Sequence, residues 1–502
     1  MKDLVLSIDV GTQSTRAAVL DLEGTVLIMA TSPEQNLHIP RAGWAEQNPD
    51  LWWQHVQMTV QECLQGVDKT RIAAVGVSGQ MHGCVPIDKA GNLLSQSVQL
   101  WCDKRYADKA EAINHSSEAD FLQTQAANMA IGNWHGLKLS WLKQFEPELY
   151  KKTWKVLTPK DYINFNLTGE LATDYSEASG SFLMNAETKV WSSELANALE
   201  VELEKLPGII PSSQLIGQVH NKAEALTALP KGTPVVAGGG DMLCMLLAAG
   251  LSKEGIASDI TGTSSIFSVF TPKPVTDYRI MNLHHVLEGW VPFGLLDSGG
   301  VSLRWFRDKF CQAEVARAKQ TGLSSYTYLS QLAEQTKPDR GLIFLPHLMG
   351  ERTLGSPHSR GVLFGLTPQH GVADVVRAIM AGVTYDLKRV LNQVEAEGFQ
   401  VDTVYHSGGG AKSDFWSQLK ADIYRKPVAT FRNNEGGILG AAILAAAGVG
   451  LYASEQDGAE RCLKIANSFE PNEGMKVFYE DQFASYLRVH DVLQSEFNRL
   501  KA

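Results

Sequence analysis

The stretch SIDVGTQSTRAAVL, beginning at Ser7, returns in altered form as SDITGTSSIFSVF at Ser258. Each copy reads as an apolar strand, a Gly-Thr-x-Ser turn and a second strand. The turn glycines, Gly11 and Gly262, lie 251 positions apart in a chain of 502 residues. A β-turn-β device repeated at half the chain length predicts two domains of similar plan, each opening a site in the same way. A chain this long also exceeds what one hydrophobic core normally serves. Short Gly-Thr-Ser clusters mark ordinary hairpins too, so the weight of the repeat depends on what surrounds it.

The surroundings read as α/β. Apolar runs at 4–9 and 16–20 are followed by the turn DLEG and a third strand at 25–29, with further buried strands at 72–77 and 234–237. Helical segments lie between them. In the clearest, 374–396, Met380, Val383, Leu387, Val390 and Val394 recur at spacings of three and four, a core-facing stripe that carries no chemistry. YTYLSQLAEQ and EDQFASYLRVHDVLQSEF also have helical character; the latter, the last helix, is a candidate to fold back on the first domain. Strands alternating with helices predict two layered α/β domains, 1–249 and 250–502, with a cleft between them.

Composition narrows the function. Hydrophobic residues make up 44% and charged residues 20%, an ordinary globular balance. The net charge of −10 and the lack of a dense Lys/Arg cluster argue against nucleic acid as a partner; an anionic ligand would be held by local backbone donors. The start, MKDLVLSIDV, is not a signal peptide, because Asp3 and Asp9 bracket a short apolar run. The most lipid-like stretch, 438–453, is shorter than a spanning helix and rich in Gly and Ala, so it reads as a packed buried helix without a membrane partner. Six cysteines form no C-x-x-C pair, which suits a reducing cytoplasm.

Three segments can carry chemistry. In the first Gly-Thr-x-Ser turn, Gly11, Thr12, Gln13 and Ser14 offer backbone N–H groups and hydroxyls that converge on an anion without a lysine. Gly262, Thr263 and Ser264 repeat the device. Asp9, at the end of the preceding strand, can hold a metal-bound water beside that anion, as magnesium usually requires. In GGGDMLCMLLAAG, 238–250, a lone acid, Asp241, stands between three glycines and an apolar helix. It either caps that helix or is aimed at something docked against the glycines. In HSGGGAKSDFW, from His406, glycines at a strand-to-helix junction let a flat ring or a phosphate approach the backbone; a tight turn without ligand is the plainer reading of that segment alone.

Together these segments resemble the FGGY family of carbohydrate kinases, of the actin-like ATPase superfamily, and most of all its xylulokinase branch. The resemblance runs through IDVGTQSTRAAVLD, GWAEQNPDLWW, GVSGQMHGCVPID, LWCDKR, TPKDYINFNLTGELATDYSEASGS, PVVAGGGD, GERT, RGVLFGLTPQHG and SGGGAKSDFW. It implies two ribonuclease-H-like domains, with sugar in the cleft on the first and ATP, with Mg2+, mainly on the second. It makes Asp241 the catalytic base and sets Met81 and His82 against the sugar. Thr12, Ser14 and Thr15 match the first phosphate hairpin and Thr263 the second; Gly300 matches a nucleotide shelf, and Gly409, Gly410 and Asp414 the adenosine site. Asp241 is expected to be ionised, since a helix N-terminus favours an anion. Glycines flanking Gln80-Met81-His82 lift those side chains towards a cleft, where a neutral His can exchange hydrogen bonds with a hydroxyl; a satisfied core histidine is the alternative. Trp101 and Asp103 are candidates for the sugar site, with surface packing and an ion pair to Arg105 as the alternative.

The implied activity is ATP-dependent phosphorylation of a small ketose in the cytoplasm, with D-xylulose at O5 favoured and a homodimer as the family prior. Departures touch the substrate side. Met242 follows Asp241 where the branch carries an amide, WHGLK replaces a TAPK-like segment, and LGSPHSRG follows GERT. A lost amide can change which hydroxyl pattern a pocket accepts. Another ketopentose, a polyol or gluconate is therefore the alternative substrate, and an actin-like nucleotide switch without sugar turnover is the alternative of a different class.

Overall fold

The computed structural model describes residues 2–354, 357–432 and 435–500; positions 355 and 356, within the segment after GERT, lie outside them. The first half forms strands β1 (Leu4–Val10), β2 (Thr15–Leu20) and β3 (Val26–Thr31), helix α1 (Pro49–Gln65), β4 (Ile72–Gly79), α2 (Pro159–Thr168), β5 (Leu215–Gln218), β6 (Pro234–Val236) and α3 (Asp241–Ala248). The second half forms β7 (Gly255–Thr261), β8 (Ser265–Val269), β9 (Met281–His284), β10 (Trp290–Leu296), α4 (Gly299–Phe310), α5 (Val372–Ala396), β11 (Val401–Ser407), α6 (Asp414–Tyr424), β12 (Val428–Phe431), α7 (Gly436–Gly448), β13 (Ile465–Phe469) and α8 (Lys476–Arg499).

The predicted duplication is a property of the fold. The first sheet runs β5-β6-β4-β1-β2-β3, with Gly239–Gly240 also pairing along β4; the second runs β9-β10-β8-β7-β11-β12-β13. In both, an antiparallel hairpin (β1-β2 or β7-β8) is followed in space by a parallel neighbour, β4 or β11. Central parallel strands are covered on both faces, and every residue of β1 and β4 is accordingly buried. The fold is therefore α/β with two actin-like, ribonuclease-H-like sheets, as expected.

The halves interlock through α7. This helix is apolar all round and packs on β1 and β4 of the first sheet and on α3. Small residues permit the approach: a Cβ on Gly76 would lie 2.1 Å from the Ala441 carbonyl oxygen, and Ser7 Oγ donates to the Ile438 carbonyl at 2.6 Å. The segment that returns to the first domain is thus α7 and not the last helix. In α8, Tyr479, Phe483 and Tyr486 enter the second domain's core, and Arg377 donates to the Tyr479 hydroxyl at 3.0 Å. The apolar face of α8 matches α5, which corrects the expectation that it folds back on the first domain. Among the described residues no helix is long and apolar enough to cross a membrane.

Candidate functional site

Register brings the first domain's acids together. Asp9 pairs with Ser78 across β1 and β4, and Gly239–Gly240 run beside Ser78–Gly79, so Asp9, Gln80-Met81-His82 and Asp241 all follow from the carboxyl ends of adjacent parallel strands, where open α/β sheets place ligands. Asp9 is buried; Arg16 donates to one of its oxygens at 2.6 Å and Ser78 to the other at 3.0 Å. Asp241 opens α3, is half-buried, and accepts the Met242 N–H at 2.7 Å. Burial and then the Asp9 charge push its pKa up to about 7, against the single backbone hydrogen bond. The helix terminus therefore does not keep Asp241 in the ordinary carboxylate range: desolvation and the neighbouring carboxylate win. Met242 is half-buried and packs on the first core.

The first hairpin is tethered from its sides. The Gly11 N–H closes the turn on the Ser14 carbonyl at 3.1 Å. Gln35 and Gln47 amides hold the Gly11 and Thr12 carbonyls at 2.5 and 2.7 Å, and the Thr12 hydroxyl donates to Gln80 at 3.1 Å. Gln13 is exposed at the tip and Ser14 half-exposed. Thr15 begins β2, is buried, and spends its N–H on Ser32 at 2.9 Å; it supports the turn and does not line it, a correction to its expected place in the phosphate hairpin.

On the wall expected to face the sugar, Met81 packs so closely on Gly240 that a Cβ there would fall 2.6 Å from its sulfur. His82 is half-buried in a left-handed backbone conformation (φ +62°), with its ring edge-on to Trp134 at 4.9 Å. Burial holds its pKa well below 6.5, so the ring is neutral. Trp101 is 41% exposed, and its indole N–H donates to the Thr12 hydroxyl at 3.0 Å, joining this wall to the hairpin. Asp103 is 1% exposed; its oxygens receive the Ala45 N–H and Arg105, whose guanidinium lies over Trp44. Its carboxylate is consumed in that network, which corrects its expected place in the sugar site.

In the second domain a cavity of about 760 Å³ gathers Gly262, Thr263, Gly300, Gly409, Gly410 and Asp414 on one lining. The second hairpin is one residue shorter than the first: Gly262 closes on Ser264, whose role is in the turn, at 2.9 Å. The Gly300 N–H then donates to the Gly262 carbonyl at 2.9 Å, and a Cβ on Gly300 would sit 2.2 Å from that oxygen. Tyr326, Lys412 and Phe415 share the cavity. Sequence reading missed them, because Tyr326 lies in a segment marked only by helical character and Lys412 and Phe415 lie beside a glycine signal that drew all the attention.

Two family models cover the chain: the N-terminal domain of the FGGY family of carbohydrate kinases matches residues 4–248 and its C-terminal domain residues 257–449. A xylulose kinase of Bacillus subtilis is 31% identical over 97% of this chain and 96% of its own. A gluconokinase of Bacillus licheniformis is 29% identical over 100% of this chain and 98% of its own. The crystal structure of a xylulose kinase from Rhodospirillum rubrum superposes with a TM-score of 0.90 at 24% identity, covering 99% of this chain and all of the other.

Proposed function

The chain belongs to the FGGY family of carbohydrate kinases, and we propose that it transfers the γ-phosphoryl group of ATP to O5 of D-xylulose. The observation that carries this reading is Asp241: a carboxylate with a pKa of about 7, at the meeting of three parallel strand ends and directly after Gly240, which packs on Met81. A base poised near neutral pH is matched to taking a proton from an alcohol as it attacks. The hydroxyl oxygen forms the new bond to phosphorus, its proton passes to Asp241, and the bond from phosphorus to the bridging oxygen breaks to release ADP. Phosphoryl transfer otherwise asks mainly for positioning and charge stabilisation. The cavity behind the second hairpin, within the 300–1,000 Å³ range of ligand pockets, is the place we assign to the nucleotide.

The residues fit a magnesium ion. Asp9 and Asp241 are close enough for one charge to raise the other's pKa, a repulsion that a divalent cation relieves. Asp9 and Asp241 would hold it, and it would neutralise charge on the phosphoryl group.

The second reading within the class is a gluconate or polyol substrate, favoured by the apolar Met242 beside the base and by the full-length gluconokinase relative. A nucleotide switch without sugar turnover is disfavoured by Met81 packed on Gly240, the residue before the base. ADP release measured over D-xylulose, ribulose, xylitol, glycerol and gluconate decides. We expect the highest kcat/KM with D-xylulose; a preference of about tenfold or more for another compound overturns the substrate, and no acceptor-dependent turnover with any of them overturns the kinase reading.

A further inference from the structure

His82 is held by its main chain from two sides. Its N–H donates to Glu177 Oε2 at 3.2 Å, and its carbonyl accepts from Lys138 Nζ at 2.7 Å. The two groups come from separate helices, Tyr175–Ser179 and His135–Phe145. Both are almost wholly buried, Lys138 at 1% and Glu177 at 2% exposure. Burying an ammonium and a carboxyl is costly unless they are paired to a purpose, and packing alone would be served by Met and Leu. What they grip is unusual: a side-chain-bearing residue at φ +62°, a conformation that non-glycine residues rarely adopt without over-determination by their surroundings. The ring has a matching seat. A Cβ on Gly180, just beyond the Glu177 helix, would lie 2.3 Å from His82 Cε1, and Trp134, immediately before the Lys138 helix, meets the ring edge-on.

We propose that Lys138 and Glu177 are positioning residues that fix His82 in its left-handed conformation and thereby set the geometry of the sugar-side wall. The functional half of this inference rests on the reading of His82 as a sugar contact. Lys138 ends the WHGLK segment at the lysine that a TAPK-like segment also carries, so the departure lies in the residues before it, among them Trp134 against the His82 ring.

The test uses the full chain with isotope-labelled histidine, the His82 ring signal being assigned by its loss in His82→Asn. In sugar-free protein, Lys138→Met is expected to move the His82 ring resonances away from their Trp134-shifted position. It is also expected to raise the KM for D-xylulose about tenfold, the size of effect a misplaced contact group produces, while nucleotide affinity stays within about twofold. Glu177→Leu should do the same. Glu177→Gln, whose amide oxygen still accepts the His82 N–H, should rescue both readouts. An unmoved His82 signal in a Lys138→Met protein that binds nucleotide overturns the clamp. Should Lys138→Met fail to fold, the Glu177 pair decides: a His82 signal in Glu177→Leu identical to that in Glu177→Gln overturns it. A moved ring with an unchanged sugar KM upholds the clamp and removes His82 from the sugar site, so the two readings fail separately.

Discussion

Gly440 and Cys244 meet backbone to backbone: a Cβ on Gly440 would lie 2.0 Å from the Cys244 carbonyl oxygen. Here α7 crosses α3, the helix that begins with Asp241, at the junction of the two halves. Neither neighbour is a flexible side chain that can yield. Gly440→Ala is expected to destabilise the protein by about 1–3 kcal/mol, the usual penalty for overpacking, read as a lower urea midpoint. An unchanged midpoint would show that the crossing can open without cost.

The Asp241 pKa makes a signed prediction. In the unfolded chain the group ionises near 3.8, in the fold near 7. Between those values the fold binds more protons than the unfolded state, so this residue's contribution to stability falls as pH rises. Asp241→Asn should therefore be more stable than wild type at about pH 8, with the advantage gone below about pH 4. Magnesium bound beside Asp241 would lower that pKa, so the comparison is made in magnesium-free buffer. An Asp241→Asn protein no more stable than wild type at about pH 8 in that buffer would overturn the raised pKa.

Gly300 supports the second hairpin, with no room for a Cβ against the Gly262 carbonyl. Gly300→Ala should push the hairpin out of place and raise the KM for ATP by about tenfold or more, leaving the sugar KM within about twofold. Equal losses on both substrates would place the hairpin's influence beyond the nucleotide.

The proposed grip of nucleotide and sugar from opposite walls predicts closure, which would keep water from the phosphoryl group. Small-angle scattering should show a smaller radius when D-xylulose and a non-hydrolysable ATP analogue are both present. Identical profiles with and without them would require a preformed cleft.

The two hairpins and the strands behind them were legible because turn and strand signals are local, but GTQS and GTSS read as the same turn and only the closing hydrogen bonds show the second to be one residue shorter. The destinations of α7 and α8 were not. An all-apolar helix announces burial but not the sheet that buries it, and α8 resembles any amphipathic helix until α5 is in place. Thr15 was placed in the site by the family resemblance, and its partner Ser32 is set by tertiary packing; for Asp103 the ion pair to Arg105 was the alternative already legible in the chain, and only the Ala45 N–H was not. The protonation of Asp241 was hidden for the same reason: helix dipole is a local property, but the desolvation and the Asp9 charge that overcome it arise only when distant strands align.

The most direct measurement is turnover and nucleotide binding in Asp241→Ala. Asp241 follows Gly240, which packs on Met81, and it does not line the cavity that holds Gly410. D-xylulose phosphorylation is expected to fall about a hundredfold to ten-thousandfold, the loss typical of a general base, with ATP affinity unchanged. Retention of more than about a tenth of wild-type turnover would contradict the assignment of Asp241 as the base.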